Sequence, residues 1–508
     1  MKTMIINILV KKQKLTATLI AVLIYLPAFV YLSSCSKEPI PDGPDKPTPP
    51  PVQEMPVEFN AATDIIIKKD EFRAAWLTTA WSLDWPQTAT GATAQKALLI
   101  SQLDKLKALN INVVLFQVRT SSDAFYTSTL VPWSHYLTGT QGVNPGYDPL
   151  LEAINAAHER GMELHAWLNP YRVGSDNQFF AANHPVHAHP DWYVVFNGVR
   201  YWNPGLPQVR THICDIVKEI VENYNVDGIH FDDYFYPSGA KSTSNPYVFD
   251  DRLAYEQYGN GVNIHTWREE NVNQMVLAVK NTIKSIKPYV TYGISPMGTH
   301  ANAMTVYANG VTWMKSRYVD YLAPQIYWEI GHSTADFDTN IRFWNNESAG
   351  TPVVPGIAAY KYGDNTYPAF SNPVQFLNQV TLSRSLTNVY GNCWFRTNHV
   401  VGNLGSYIQG NIYKHLSLVP KFGDYTGTLP SVPQVTVTGS AISWSAVSGA
   451  KKYAVYELER INKTNSWDAN LKVVSTSSAY SGQKGKNYIV IAVNDRDKSS
   501  WQKVVFIP

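Results

Sequence analysis

Between residues 71 and 395 the chain alternates short apolar, β-rich runs with longer segments whose apolar residues recur at helical spacing. This alternation leaves few architectures open, because neighbouring parallel strands need a crossover between them, and that crossover is usually a helix. Strands are expected at 72–77, 112–119, 162–170, 226–231, 290–296, within 319–329, at 352–358 and at 389–395. Helices are expected at 97–109, 149–160, 207–224 and 271–286, the second stopped by Gly161. Eight such units predict an α/β fold, a (β/α)8 barrel spanning 68–425. The long connections 121–148, 171–206 and 234–268 all follow strands. They therefore belong to the face where the strands' carboxyl ends lie, which is where such barrels carry out chemistry.

The flanks read differently. After Pro420, short strands at 434–437, 441–444, 453–456 and 488–493 predict a small all-β sandwich over 431–508. Ser443-Trp444-Ser445, followed by the run 450–456, resembles a fibronectin type III module. At the other end, Lys2, Lys11, Lys12 and Lys14 precede an apolar run over 15–32. Residues 1–34 thus read as a signal peptide, with a single spanning helix as the alternative. Leu32-Ser33-Ser34-Cys35 resembles the lipobox of bacterial lipoproteins. The resemblance implies lipidation of Cys35 and a protein anchored in the cell envelope, at the outer membrane, facing the periplasm or the surface. Residues 35–67 are proline-rich and read as an extended tether.

Composition narrows the partners. A formal charge of +2 gives no basic field, so nucleic acid is not an expected partner. Cys35, Cys214 and Cys393 have no zinc or redox spacing, and no cofactor is expected. His184, His187 and His189 share a loop with Asp191, but they read as a solvated loop and not as a metal site, since no fourth ligand pattern accompanies them. The 15 Trp and 31 Tyr suit the apolar faces of sugars, and suit a protein core equally well.

The chemistry concentrates in Val226-Asp227-Gly228-Ile229-His230-Phe231-Asp232-Asp233-Tyr234-Phe235-Tyr236-Pro237. Two adjacent carboxylates end an apolar strand, a costly arrangement unless they are paired or used. Alternation along the strand puts His230 and Asp232 on one face, and Asp232 is expected to point into the cleft. Other strand-end groups are Arg73 and Trp76, then Gln117 and Arg119, then His165, Trp167, Asn169 and Arg172, and finally Gln325, Tyr327, Trp328 and Glu329, with Tyr236 beyond the carboxylates. Arg73 and Arg119 are either substrate clamps or ion pairs of the barrel floor. His165 is either catalytic or a satisfied core histidine. Trp167 and Trp328 are either sugar platforms or core.

Several segments together resemble the glycosyl-hydrolase-like family 10 lipoproteins of bacteria. They are Glu71-Phe72-Arg73-Ala74-Ala75-Trp76-Leu77, Phe116-Gln117-Val118-Arg119, His165-Ala166-Trp167-Leu168-Asn169-Pro170-Tyr171-Arg172, the stretch 227–237 and Gly293-Ile294-Ser295-Pro296. The resemblance implies a TIM barrel that hydrolyses a polysaccharide, with peptidoglycan glycan strands lacking stem peptides as one substrate class. Asp227-Gly228-Ile229-x-x-Asp232 also resembles the fourth-strand motifs of α-amylase-type and chitinase-type barrels. However, Tyr234 stands where a chitinase has its acid, and Ser295-Pro296-Met297 offers no amylase-type acid. Asp232 is therefore assigned as nucleophile or stabiliser and Glu329 as general acid, with Asp233 as the fallback acid. The competing reading is a catalytically silent carbohydrate-binding lipoprotein that uses the same cleft. If instead the β-sandwich makes the partner contacts, removing 431–508 would spare any cleavage.

Overall fold

A computed structural model describes residues 65–461, 466–501 and 503–508. Cys35, the signal segment 1–34 and the tether up to residue 64 lie outside the described residues. Eight parallel strands form one sheet: β1 (Phe72–Leu77), β2 (Val113–Arg119), β3 (Glu163–Leu168), β4 (Gly228–Phe231), β5 (Thr291–Ile294), β6 (Tyr321–Leu322), β7 (Gly356–Ile357) and β8 (Gly391–Trp394). The sheet closes on itself between β6 and β7. Leu322 N–H donates to Pro352 O at 2.9 Å, Val354 N–H to Leu322 O at 2.9 Å, and Gly356 N–H to Pro324 O at 2.8 Å. The expected barrel is the observed one.

Outside the sheet run α1 (Gly91–Ala108), α2 (Pro149–Glu159), α3 (Pro207–Asn223), α4 (Ile264–Ile286), α5 (Gly310–Lys315), α6 (Phe337–Glu347) and α7 (Val374–Ser385). Pro149 and Pro207 occupy first-turn positions, where a missing N–H costs nothing. The fourth helix starts at Ile264, earlier than expected, because the Asn263 side chain accepts from His265 N–H and caps it there. Trp267 and Ile264 then bury against Ala254.

Residue parity sorts the strands. Phe72, Ala74 and Trp76 of β1 face the barrel interior with Val113, Leu115, Trp167, Tyr321 and Cys393. The alternate residues pack outward against the helices. Two glycines make room for large polar rings inside. A Cβ on Gly228 would lie 2.5 Å from the His165 ring, and one on Gly293 would lie 2.0 Å from that of Tyr321.

Those rings form a chain along the barrel. Trp76 Nε1–H donates to His230 Nε2 at 3.2 Å. His230 Nδ1 is 2.9 Å from the Tyr321 hydroxyl, that hydroxyl is 3.2 Å from His165 Nδ1, and His165 Nε2 is 3.5 Å from Glu163. Because His230 Nε2 accepts from Trp76, its Nδ1 carries the proton and donates to Tyr321, and donation runs one way down to the carboxylate. Burial, with His165 nearby, holds His230 well below its ordinary pKa, hence neutral.

After the barrel, β9 (Val435–Thr438), β10 (Ala441–Trp444) and β13 (Ala479–Ser481) form a three-stranded antiparallel sheet. It faces a larger sheet of β12 (Trp467–Ser475), β11 (Lys452–Arg460), β14 (Lys486–Val493) and β15 (Val505–Ile507), in that order. Ile442, Trp444, Tyr453, Val455, Tyr488 and Val490 fill the space between the two sheets. Residues Ile65–Ile67, read from the sequence as tether, add a parallel strand alongside β12. The outer face of the larger sheet packs on Leu416 and Leu418, the chain leaving the barrel. Both faces of that sheet are therefore covered, and the module is docked on the barrel floor.

Candidate active site

At the carboxyl end of the strands a cavity of about 170 Å3 is lined by Trp76, Gln117, Trp167, Asn169, Arg172, Asp232, Asp233, Gln325 and Tyr327, all expected from the sequence. Thr78, Trp81, Thr120, Ser121, Tyr136, Tyr234, Ser295 and Phe395 complete most of the wall. A roomier cavity of about 510 Å3 lies at the opposite, floor end, between the barrel and the larger C-terminal sheet. Both acids in its lining are paired, Glu71 with Arg73 and Arg384 and Asp70 with Lys498, so it offers no free carboxylate. The smaller cavity, with its carboxyl pair, is the candidate site.

Asp232 lies deep, 3% exposed, at the end of β4. Trp167 Nε1–H donates to its Oδ2 at 3.1 Å and Tyr234 N–H to its Oδ1 at 3.3 Å. Asp233, next along the chain, is less covered and accepts at 3.1 Å from the Gln325 amide, which also donates to Ser295 O at 3.0 Å. Burial, and then the neighbouring Asp233, push the Asp232 carboxyl well above the usual carboxylate range. Burial raises Asp233 too, opposed by the Gln325 hydrogen bond. Like carboxyls at adjacent positions oppose each other's ionisation, and both are raised, so the pair keeps a proton to higher pH than an ordinary carboxylate does.

The wall behind the pair is braced. Gln117 Oε1 accepts from Thr79 and Ala80 N–H at 3.0 and 2.9 Å, and its amide donates to Asn169 Oδ1 at 2.8 Å. One glutamine thereby fixes both the loop after β1 and the end of β3.

Seven of the expected site residues are placed elsewhere. Arg73 is odd-numbered on a strand whose even residues face inward, and it sits at the floor, paired with Glu71 at 2.8 Å. Arg119 should share a face with Gln117, but a register irregularity between them turns it away. It is buried, donates to Asn169 O at 2.7 Å and Ser122 Oγ at 3.1 Å, and burial lowers its pKa to about 10. His165 and His230 belong to the interior chain below the cavity. Tyr236 is buried with its hydroxyl 3.4 Å from Asp251, which Arg268 clamps. Trp328 packs on the outer core, its carbonyl accepting from Gln379. Glu329, assigned from the sequence as the acid, does not line the cavity. Tight turns at Ile326 and Tyr327 end the extended run, and the Glu329 carbonyl instead accepts from Phe337 N–H at the start of α6.

The three-histidine loop is solvated at His187 and Asp191, both exposed, but not throughout. His184 is buried beside Phe180 and caps Val186, while His189 stacks on Trp192 at 3.6 Å. Cys214 and Cys393 are free thiols.

Trp81 is the main residue the sequence reading missed. It lies in the βα loop after β1, on the face where the connections were already expected to carry function, and an exposed aromatic there was a usable signal.

Comparison with known proteins gives a consistent picture. The model of the family described as Glycosyl hydrolase-like 10 matches residues 71–370. Glycosyl hydrolase YngK of Bacillus subtilis (strain 168) is 37% identical over 412 residues, covering 76% of this chain and 79% of that protein. Glycosyl hydrolase DigH of Escherichia coli (strain K12) is 33% identical over 436 residues, covering 77% and 95%. Among solved structures, the PgaB (BpsB) glycoside hydrolase domain from Bordetella bronchiseptica aligns with a TM-score of 0.45 at 10% identity, covering 67% of this chain and 98% of that one.

Proposed function

The chain belongs to the glycosyl hydrolase-like 10 family, and from that premise we propose that it is a glycoside hydrolase in which Asp232 and Asp233 cleave a polysaccharide of 2-acetamido sugars, with peptidoglycan glycan strands as the substrate. One observation carries the reading: the carboxylates lining the cavity are adjacent residues at the end of one strand. A pair split across a sugar supplies an acid from one side and a nucleophile or base from the other. A pair on one side supplies the acid and a second carboxylate beside it, leaving the far face of the anomeric carbon without a protein nucleophile. A sugar bearing a 2-acetamido group brings its own, the acetamido carbonyl oxygen, as in substrate-assisted glycosidases. Asp233, nearer the opening, gives the pair's proton to the leaving glycosidic oxygen. Asp232, deeper and held by Trp167, accepts a hydrogen bond from the acetamido N–H and steadies the positive charge as the carbonyl oxygen closes on the anomeric carbon. Water then adds to the anomeric carbon of the resulting oxazolinium, breaking its bond to the acetamido oxygen and giving a proton to Asp233.

The test compares N-acetylated glycan strands with the same strands after N-deacetylation, by mass analysis of products. Cleavage of the first is expected to exceed that of the second by at least about 100-fold, the usual range for losing a correctly placed reacting group. A thiazoline that mimics the oxazoline should inhibit. A covalent glycosyl adduct on Asp232 or Asp233, trapped with a 2-fluoro sugar, would overturn the mechanism.

The same reading places the mature protein at the outer membrane of the cell envelope, held by lipid on Cys35. Its support is the sequence Leu32-Ser33-Ser34-Cys35 followed by the proline-rich stretch. Cys35→Ser is expected to move the protein from the membrane to the soluble fraction and to abolish fatty-acid labelling. Retention of either would remove the assignment. We read residues 431–508 as a fibronectin type III-type module, supported by the division into facing three-stranded and larger sheets.

A further inference from the structure

At the rim of the catalytic cavity an exposed indole stands beside an uncompensated guanidinium. Trp81 is 63% exposed although it is a large aromatic, and Tyr234, lining the same cavity, is 44% exposed. Trp81 and the next residue, Ser82, both adopt left-handed backbone, φ 52° and 53°. Neither is glycine, so this conformation is strained. The surroundings hold it: Gln117 accepts from Thr79 and Ala80 N–H, Asp84 accepts from Thr78 N–H at 2.9 Å, and Ser82 and Leu83 N–H bond back to Thr79 and Ala80 O. Strain kept in place by this many bonds presents the indole face to solvent at the mouth.

Arg172 lies behind it, its guanidinium carbon 5.9 Å from the Trp81 ring centroid. The guanidinium lines the cavity and donates to Ser121 Oγ at 2.9 Å. Among the described residues no carboxylate lies within 4.0 Å of it, whereas Arg73, Arg160, Arg200, Arg268, Arg384 and Arg396 each have one. Its titratable neighbours are the phenols of Tyr136, Tyr201 and Tyr234, each pushed up by burial and hence uncharged. A guanidinium with donors to spare, half-buried beside an aromatic platform, is built for a planar anion.

We propose that Trp81 and Arg172 form a subsite for a carboxylate-bearing sugar, the ring stacking on the indole while its carboxylate pairs with the guanidinium, next to the residue that is cut. This rests on the cleft being a glycan site. The experiment measures binding alone, by calorimetry, in the Asp232→Asn background. The probes are peptide-free peptidoglycan oligosaccharides with free lactyl carboxylates, and the same oligosaccharides amidated with methylamine.

The free-acid form is expected to bind at least tenfold tighter, with the advantage shrinking as salt rises. Arg172→Met should bring the two forms within about twofold, while Trp81→Ala should weaken both alike. Equal binding of the two forms in the Arg172-containing protein overturns the subsite and leaves the glycan reading standing. Binding of neither form overturns both.

Discussion

Asp232→Asn is expected to lose glycan cleavage by a factor on the order of 10³ or more, and yet to unfold at a higher temperature than the parent protein at neutral pH. Both effects come from the same burial. The carboxyl of Asp232 is covered, faces Asp233 and is pushed well above its ordinary pKa. An acid whose folded pKa lies above its unfolded one contributes stability that is complete below the unfolded value. That contribution is lost as pH rises through the folded value. At neutral pH the wild-type chain bears this cost and the asparagine does not. The amide can keep its oxygen toward Trp167 and gives up only the 3.3 Å contact from Tyr234. A gain of about 0.5–2 kcal/mol is the usual size for relieving a strained functional group. Stability curves of the two proteins should converge in acid and separate, in favour of the variant, as pH rises. The wild-type rate should fall on the alkaline side as the pair loses its proton, in the same window. Unchanged turnover in Asp232→Asn would remove the catalytic assignment. A variant markedly less stable at pH 7 would show that the carboxylate is a structural ion and not a carboxyl held above its ordinary pKa.

What could be read from the chain beforehand divides along physical lines. The barrel was legible because strand and helix periods are properties of local sequence, and eight repeats of one pattern are hard to mistake. Asp232 was legible because one strand's alternation fixes its face. The errors came where alternation was carried past its limit. Arg119 sits beyond a register irregularity, and Glu329 lies past the turns that end the extended run at Gln325. For Arg73 the choice between clamp and floor ion pair stayed open because strand ends are not labelled top or bottom in a sequence; its partner Glu71 and its parity put it at the floor. The interior chain of Trp76, His230, Tyr321, His165 and Glu163 joins four strands, and no local pattern pairs residues so far apart. Trp81 needed knowledge of a backbone conformation that sequence disfavours.

The second large effect is remote from the cavity. Arg496, in the C-terminal module, inserts beneath the barrel with its side chain 4% exposed. It donates to Glu163 at 3.2 Å, to Tyr289 O at 2.7 Å and to Asp227 O. Burial pushes the Glu163 carboxyl up, and Arg496 followed by His165 pulls it below the usual range, so the net shift is downward. An acid with a depressed folded pKa stabilises above its unfolded pKa, and loses that contribution as pH falls through the folded value. Arg496→Ala therefore leaves a buried carboxylate without its guanidinium at neutral pH, with only the 3.5 Å contact from His165, at a cost of roughly 3–5 kcal/mol. Glu163 also terminates the hydrogen-bonded chain that ends at Trp76 on the cavity wall. Deleting 431–508 removes the same guanidinium, so cleavage should not survive it, contrary to what a separable binding module would predict. The decisive comparison is the double variant Glu163→Gln with Arg496→Met. The glutamine keeps a hydrogen-bond acceptor for His165 and carries no charge, and methionine refills much of the volume. Thermal unfolding at neutral pH should return most of the way to the parent value in the double variant and not in Arg496→Ala. If the double variant is as unstable as the single, the loss lies in packing of the module and not in the charge pair; if Arg496→Ala costs less than about 0.5 kcal/mol, the module is a passenger on the barrel.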